Sequence, residues 1–255
     1  MALARPRGRA PFRIIPDYIA LAKRSPPRSL WIPCAPQGGK EAAFSDLSRT
    51  GQALDLWTGR VQSRFTFDGE RVEVETSVHP ELDLVIVKLG SPLLGSGRLG
   101  VDLRFPGVAA RLNPDPADFD HPEAHRTTEL ARGPRGLTLQ RQLDDTRYWV
   151  ELGADRPVQI LDAGPHTFRV ASAESDELTL LVLFSRERAR QPLPAASAAR
   201  GAVAEHWRRF WTQGDVLDFS GSRGGLPAAQ SPQWAANASE RLIEQLLCPA
   251  ARAAD

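Results

Sequence analysis

The sequence is poor in cysteine, in net charge and in long apolar runs, and each shortage excludes a class of protein. Its two cysteines, Cys34 and Cys248, lie near opposite ends, which is no disulfide framework. The chain has 32 basic and 31 acidic residues, a formal charge of +1, so the overall balance predicts neither nucleic acid nor an anionic membrane as a partner. No run approaches the roughly 18 apolar residues of a membrane-spanning helix.

Residues 1–40 form a basic, proline-rich segment that we expect to be poorly ordered. Lys and Arg side chains dominate residues 1–29, where Asp17 is the single acid. The segment lacks the apolar h-region of a secretory signal, which favours a soluble, cytoplasmic protein.

Several signatures of catalytic sites are also missing. The chain contains no GxSxG elbow, no phosphate loop and no dinucleotide fingerprint, so we predict no cofactor. A glycosidase needs two carboxylates roughly 5 to 10 Å apart, and spacing along a β protein does not reveal such a pair. We therefore assign no catalytic residue.

What the sequence does contain is strand alternation. Between Val61 and Phe67 apolar residues recur at alternate positions, and the Asp68-Gly69 dipeptide that follows tolerates the positive φ angles of a tight hairpin. Further strand-like runs recur along residues 41–190 without helical patterns between them, at Val72–Val78, Leu84–Leu89, Leu99–Phe105, Leu137–Leu143, Tyr148–Leu152, His166–Ala171 and Leu178–Phe184. Leu84–Leu89 is apolar on both faces, as expected of a central strand. This spacing predicts an all-β domain, an antiparallel β-sandwich.

A helix and a loose tail follow the β region. Within residues 191–222, Ala196–Trp211 carries apolar residues at helical spacing and predicts an amphipathic linker helix with a short extension. Its aromatic stripe is more often a packing face than a ligand platform. Residues 223–255 predict an irregular tail with a helical stub at Ala238–Leu247.

The alternation lapses from Pro106 to Gly136, and such long excursions are usually functional or disordered. Carboxylates and imidazoles concentrate there, at Asp118, Asp120, His121, Glu123 and His125. Pro122 directly follows His121 and no third histidine or cysteine is near, so we predict no metal site. The ordinary interpretation is a hydrogen-bonded surface loop. The alternative is a sugar-contacting loop in which Asp118, His121 and His125 bind hydroxyls beside an aromatic ring such as that of Phe119.

Two tryptophans, Trp57 and Trp149, lie in or beside predicted strands. Either ring could stack on a sugar if exposed, although a tryptophan in this position is more often part of the core. Both are therefore candidate carbohydrate contacts whose role depends on exposure.

Four collinear segments between about Ser45 and Ser222 resemble one family. They are SDLSRTGQALDLWTGRVQSRFTFDGERVEVETSVHPELDLVIVKLGSPLL, DPADFDHPEAHRT, LTLQRQLDDTRYWVEL and HWRRFWTQGDVLDFSGS. They are similar to the N-terminal β-sandwich of bacterial six-hairpin glycosidase-like proteins, relatives of the maltose and kojibiose phosphorylases.

The resemblance implies a galactose-mutarotase-like supersandwich followed by a linker helix and an (α/α)6 barrel that carries the catalytic carboxylate. After Ser222 the sequence departs from that family, as do the first 40 or so residues. We therefore expect a fragment or a frame-altered gene that is inactive alone, with carbohydrate and the barrel as partners in the intact protein. The alternative is a free-standing carbohydrate-binding or interaction sandwich.

Overall fold

The computed structural model describes residues 12–14, 29–32, 44–108, 117–172 and 174–213. Most of the basic segment at 1–40 lies outside these residues, as do the tail at 223–255 and its helical stub. The strands are β1 Phe12–Ile14, β2 Ser29–Ile32, β3 Leu47–Asp55, β4 Arg60–Phe67, β5 Glu70–Val78, β6 Leu84–Gly90, β7 Gly100–Arg104, β8 Gly107–Val108, β9 Ala117–Asp118, β10 His125–Gly133, β11 Gly136–Leu143, β12 Thr146–Ala154, β13 Val158–Gly164, β14 Thr167–Ser172 and β15 Glu177–Ser185. Two α-helices, α1 Pro92–Gly95 and α2 Ala196–Gln213, and two 3-10 turns, Phe44–Asp46 and Pro122–Ala124, join them.

The strands form two antiparallel sheets and one short pair. The larger sheet has eight strands in the order β10-β11-β12-β15-β6-β5-β4-β3, and the smaller has five in the order β1-β2-β7-β14-β13. Strands β8 and β9 pair with each other. The predicted all-β antiparallel sandwich is confirmed.

The Asp68-Gly69 hairpin shows how local sequence sets this register. Asp68 has φ 50° and Gly69 has φ 82°, the pair of positive values that a two-residue hairpin turn requires. Phe67 therefore pairs with Glu70, and Phe65 and Val72 lie opposite each other in the core. A one-residue slip of either strand would turn its apolar side chains towards solvent.

The main core fills the space between the two sheets. Inward-facing residues of strands such as β4, β6 and β11 supply it, and Phe105 and Phe168 meet edge to face with ring centroids 6.5 Å apart. At the sheet edges, the Arg132 guanidinium on β10 donates to Ile160 O on β13 at 2.8 Å and pairs with Asp162 at 2.6 Å. This contact links the larger sheet to the smaller one.

Helix α2 covers part of the outer face of the larger sheet. Its buried Ala199 and Val203 pack on Leu84, Ile86 and Leu181 of β6 and β15, which makes a second, smaller core. Strand β6 is therefore buried on both faces, as its continuous apolar run predicts. No helix in the described part of the chain is long and apolar enough to cross a membrane.

Three strands lie outside the predicted runs, namely β3, β10 and β13, of which β13 buries Val158 and Ile160. All three are edge strands, and β3 and β10 expose nearly every residue. An edge strand that buries neither face does not need apolar residues at alternate positions. Part of the stretch predicted as an excursion, from Pro106 to Gly136, is thus an ordinary ladder in which β10 pairs with β11.

Candidate functional site

The predicted polar loop begins at the end of β9, where Asp118 organises the turn. Its Oδ1 accepts from the Asp120 backbone N–H at 2.9 Å, and its Oδ2 lies 2.8 Å from His121 Nδ1. The hydrogen bond between the two side chains lowers the pKa of Asp118 and raises the pKa of His121. Two of the predicted contacts, Asp118 and His121, are therefore brought together, and they bind each other.

Phe119, the aromatic ring of the sugar-contacting alternative, already has a partner. The Arg104 guanidinium lies over its ring, 5.2 Å from the centroid. A sugar would have to displace that cation before stacking on this face.

The third predicted contact, His125, faces a buried arginine at the end of the sandwich. Arg141 lies on β11 between inward-facing leucines and has no exposed surface. Its guanidinium donates to His125 Nδ1 at 2.9 Å, to Thr127 Oγ1 at 2.5 Å and to Pro106 O at 3.3 Å. It also lies over the Phe105 ring, 5.1 Å from the centroid.

We call these residues, Arg141, His125, Thr127 and His166, the arginine cluster. His166 Nε2 lies 2.7 Å from Pro122 O, and because a carbonyl only accepts, this nitrogen carries a proton. His166 Nδ1 then accepts from the Thr127 hydroxyl at 2.7 Å in the neutral ring. Since an arginine only donates, neutral His125 must accept at Nδ1 and carry its proton on Nε2.

The electrostatics of the cluster keep His125 neutral. Burial first, then the Arg141 charge and then His166 lower the pKa of His125 to about 4. The two imidazole centroids are 4.0 Å apart, so two positive rings would repel each other and Arg141. Burial also lowers the pKa of Arg141.

The arginine cluster works as a cross-link between chain segments. It connects β10, β11, the turn before β14 and the 3-10 turn at Pro122–Ala124. Both ring nitrogens of His166 and one of His125 are already in hydrogen bonds, which leaves little lone-pair capacity for a ligand. Within the described residues, no three His, Cys, Asp or Glu side chains converge to hold a metal ion.

Trp57 lies elsewhere, in the turn between β3 and β4, and is 61% exposed. Asp55 holds the turn, since its carboxylate accepts from the Trp57 backbone N–H at 3.0 Å and from the Thr58 hydroxyl at 2.6 Å. The Trp57 ring meets Trp211 of α2 with centroids 6.2 Å apart and planes tilted by 52°.

The end of α2 extends this aromatic group. Trp207 stacks with Trp211 at 6.3 Å, and Phe210 meets both rings edge on. Trp57, Trp207, Phe210 and Trp211 together are called the aromatic surface below. The predicted aromatic stripe of the helix is thus partly a packing face against the turn and partly exposed.

Trp149 joins neither group. It lies on β12, half-buried on the outer face, opposite Gln140 and Ser185 of the neighbouring strands. The aromatic surface begins at the β3 edge of the larger sheet, and the arginine cluster lies at the β10 edge. With strands about 4.8 Å apart, these edges are separated by roughly 30 Å along the sheet. The five candidate residues therefore do not form one site.

Sequence reasoning missed Arg141, Thr127, His166 and Trp211 as parts of these groups. A signal did exist for Arg141, because it occupies an inward position in the LTLQRQL alternation. An arginine at such a position predicts a buried cation with dedicated acceptors. No local signal marks His166, which reaches the cluster from a turn.

A scan of protein-family models and a search of curated proteins gave no match. Two similar solved structures are a protein assigned as a kojibiose phosphorylase from human microbiome, with 10% identity and TM-score 0.42, and a bacterial glucoamylase complexed with acarbose, with 8% identity and TM-score 0.46. Each match covers 72% of this chain, and the chain spans 25% and 32% of their respective lengths. Both are named as carbohydrate-processing enzymes. Likenesses at this level do not identify an activity.

Proposed function

We propose that the chain is the non-catalytic N-terminal β-sandwich of a carbohydrate-processing glycoside hydrolase of the six-hairpin type. The collinear resemblance from about Ser45 to Ser222 supports this, together with the confirmed order of sandwich and helix. In that family the (α/α)6 barrel carries catalysis. The chain alone is then inactive.

The aromatic surface is the single observation that carries the proposal. A partly exposed group of three tryptophans and one phenylalanine is unusual on a free-standing domain and typical of a surface that meets another. It lies where α2 ends, at Gln213, which is where the resemblance places the approach to the barrel. We propose that the barrel of the intact protein packs on it.

The polar loop supports the non-catalytic part of the proposal. Asp118 already accepts hydrogen bonds from the turn and from His121, and its lowered pKa makes it a poor general acid near neutral pH. His125 is neutral and donates no proton to a substrate at that pH, because its pKa is near 4. Asp118 therefore stabilises a turn, and His125 takes part in the cross-link between chain segments.

The first experiment is an activity assay on the 255-residue chain. Maltose and kojibiose are incubated with it, with and without inorganic phosphate, and released glucose and glucose phosphate are measured. We expect no turnover above a heat-denatured sample, with a known glucoamylase as positive control. Turnover that follows the folded protein through purification would refute the proposal.

The second experiment tests the aromatic surface. Trp57→Ser should reduce binding of the dye ANS and any self-association seen by light scattering, because it removes the most exposed ring. Leu161→Ser is the matched control, since Leu161 is 52% exposed on β13 of the other sheet. Equal effects of the two variants would remove the reason to treat this surface as an interface.

A free-standing carbohydrate-binding domain is the second candidate, favoured by the exposure of Trp57 beside Trp211. The tilted rings of Trp57 on the turn and Trp211 on α2 can stack against the apolar face of a sugar. Calorimetric titration with an oligosaccharide panel separates the candidates. Binding that is lost in Trp57→Ala favours this one.

A further inference from the structure

Two short elements beside the arginine cluster need outside support to stay ordered. Strands β8 and β9 pair over two residues each, and the 3-10 turn Pro122–Ala124 buries none of its residues. An isolated pair of strands is marginally stable in water even when the strands are longer than these. The position of both elements therefore depends on their contacts with the rest of the sandwich.

The arginine cluster supplies contacts to both elements. His166 Nε2 donates to Pro122 O of the 3-10 turn at 2.7 Å. Arg141 donates at 3.3 Å to the backbone carbonyl that directly precedes β8. The His125 ring lies against Gly107 of β8, so that its Cδ2 would be 2.8 Å from a Cβ added to that glycine. We call this set of contacts the histidine clamp.

Within the histidine clamp, His125 can keep its contact only as a neutral ring. Its Nδ1 accepts from Arg141 at 2.9 Å, and an arginine has no acceptor to offer in return. A proton on this nitrogen would place one N–H group against another. The contact of His166 is less sensitive, because the Thr127 hydroxyl 2.7 Å from its Nδ1 can turn and accept from a protonated ring. Proton uptake therefore breaks the clamp at His125.

Charged or titratable groups on four neighbouring elements face His125. Arg141 on β11 and His166 before β14 disfavour its imidazolium, whereas Asp118 on β9 and Glu123 in the 3-10 turn favour it. Burial, followed by the two basic groups, lowers the pKa of His125 to about 4. When β8 and the 3-10 turn leave the sandwich, the ring is no longer buried and its pKa returns towards 6.5. Between these values a proton therefore favours the open arrangement.

We propose that the histidine clamp is acid-sensitive, so that protonation of His125 releases the 3-10 turn and the β8–β9 pair while the two sheets stay folded. The release is local, because the β10–β11 ladder and the core between the sheets do not need this ring. Local openings of this kind cost less free energy than unfolding of the whole domain. The clamp depends neither on the proposed carbohydrate-related function nor on the aromatic surface.

Amide hydrogen exchange of the ¹⁵N-labelled chain tests the release. Protection factors, which correct for the intrinsic pH dependence of exchange, are measured at pH 7 and pH 4.5 for Ala124 and Gly107 and for the core residue Val87. We expect Ala124 and Gly107 to be less protected than Val87 at both pH values, because they open locally. Their protection should fall about fivefold to thirtyfold at pH 4.5, since solvent screening reduces the effect of the full His125 shift.

Two variants assign the proton. His125→Gln keeps an acceptor for Arg141 but does not titrate, so the additional fall at Ala124 and Gly107 should disappear. His121→Gln is the matched control, because His121 is an exposed histidine in the same loop and pairs with Asp118 outside the clamp. This variant should keep the fall.

Three results would overturn the proposal. Equal protection of Ala124 and Val87 would mean that the 3-10 turn opens only when the whole domain unfolds. A fall that persists in His125→Gln would assign the proton to another group. In the parent chain, a fall whose midpoint differs from that of the His125 ring in an NMR titration would do the same, and this comparison requires no variant to fold. The activity assay measures none of these quantities, so the clamp and the proposed function fail independently.

Discussion

The arginine cluster makes the stability of this protein depend on pH through His125. Its folded pKa is about 4, below its ordinary value of 6.5, so the folded state binds fewer protons than the unfolded state between these values. The contribution of neutral His125 to the free energy of unfolding is complete above pH 6.5 and is lost as the pH falls towards 4. At about 1.36 kcal/mol per pH unit, the limit is roughly 3 kcal/mol. His125 is only partly buried, and solvent screening reduces this to about 1–2 kcal/mol.

Several charged or titratable groups set the pKa of His125, so the assay must isolate the titration of this one ring. Arg141 and His166 disfavour the imidazolium, while Asp118 and Glu123 favour it. His125→Gln keeps an acceptor for the arginine and removes the titration. We expect urea unfolding followed by circular dichroism to show the parent losing about 1–2 kcal/mol more than the variant between pH 7 and pH 4.

An NMR titration of the His125 ring gives the pKa directly and completes the test. A value at or above 6.5 would refute the reasoning, because it would mean that Arg141 and burial do not control the ring. So would a pH dependence that is the same in the parent and in His125→Gln, because the proton would then be taken up elsewhere.

Three further predictions concern single contacts. Gly59→Ala should lower the free energy of unfolding by about 2–4 kcal/mol, because Gly59 has φ 62° and a Cβ there would stand 1.9 Å from Trp207 Nε1 of α2. Gly51→Ala has open space around it and should be nearly neutral in the same denaturant assay. Thr127→Val should cost about 1–3 kcal/mol by leaving the Arg141 and imidazole groups without their hydroxyl, and calorimetric melting showing no loss would contradict the cross-link. Asp118→Asn should lower the pKa of its histidine partner towards 6.5 without unfolding the domain, as measured by ring NMR shifts.

The order of sandwich and helix was predictable because both depend on short-range periodicity. Phe65 and Val72 alternate with polar neighbours, and the Asp68-Gly69 turn between them supplies its own register. Helix α2 begins at the predicted Ala196 and ends at Gln213, two residues beyond the predicted Trp211. Edge strands such as β3 were not predictable, since they bury neither face.

Among the candidate contacts, some side-chain environments follow from the local sequence and others depend on distant segments. Asp118 and His121 are three residues apart, so their mutual hydrogen bond follows from the turn they share. Trp57 and Trp149 carry the same side chain in or beside strands, yet the first is 61% exposed and the second is half-buried on β12. The difference follows from their places in the fold, because Trp57 lies in the turn after β3 and Trp149 lies within β12 between two paired strands. The contact of Trp57 with Trp211 is decided only by the position of α2.

By itself the sequence determined the inner strands and the helix, because hydrophobic periodicity and turn chemistry act over a few residues. The tertiary structure alone decided which polar groups from distant segments meet. Arg141 and Thr127 meet because β10 pairs with β11, and His166, which precedes β14 of the other sheet, joins them only when the two sheets stack. Contacts between distant segments depend on the packing of whole sheets, and no short stretch of sequence encodes that packing.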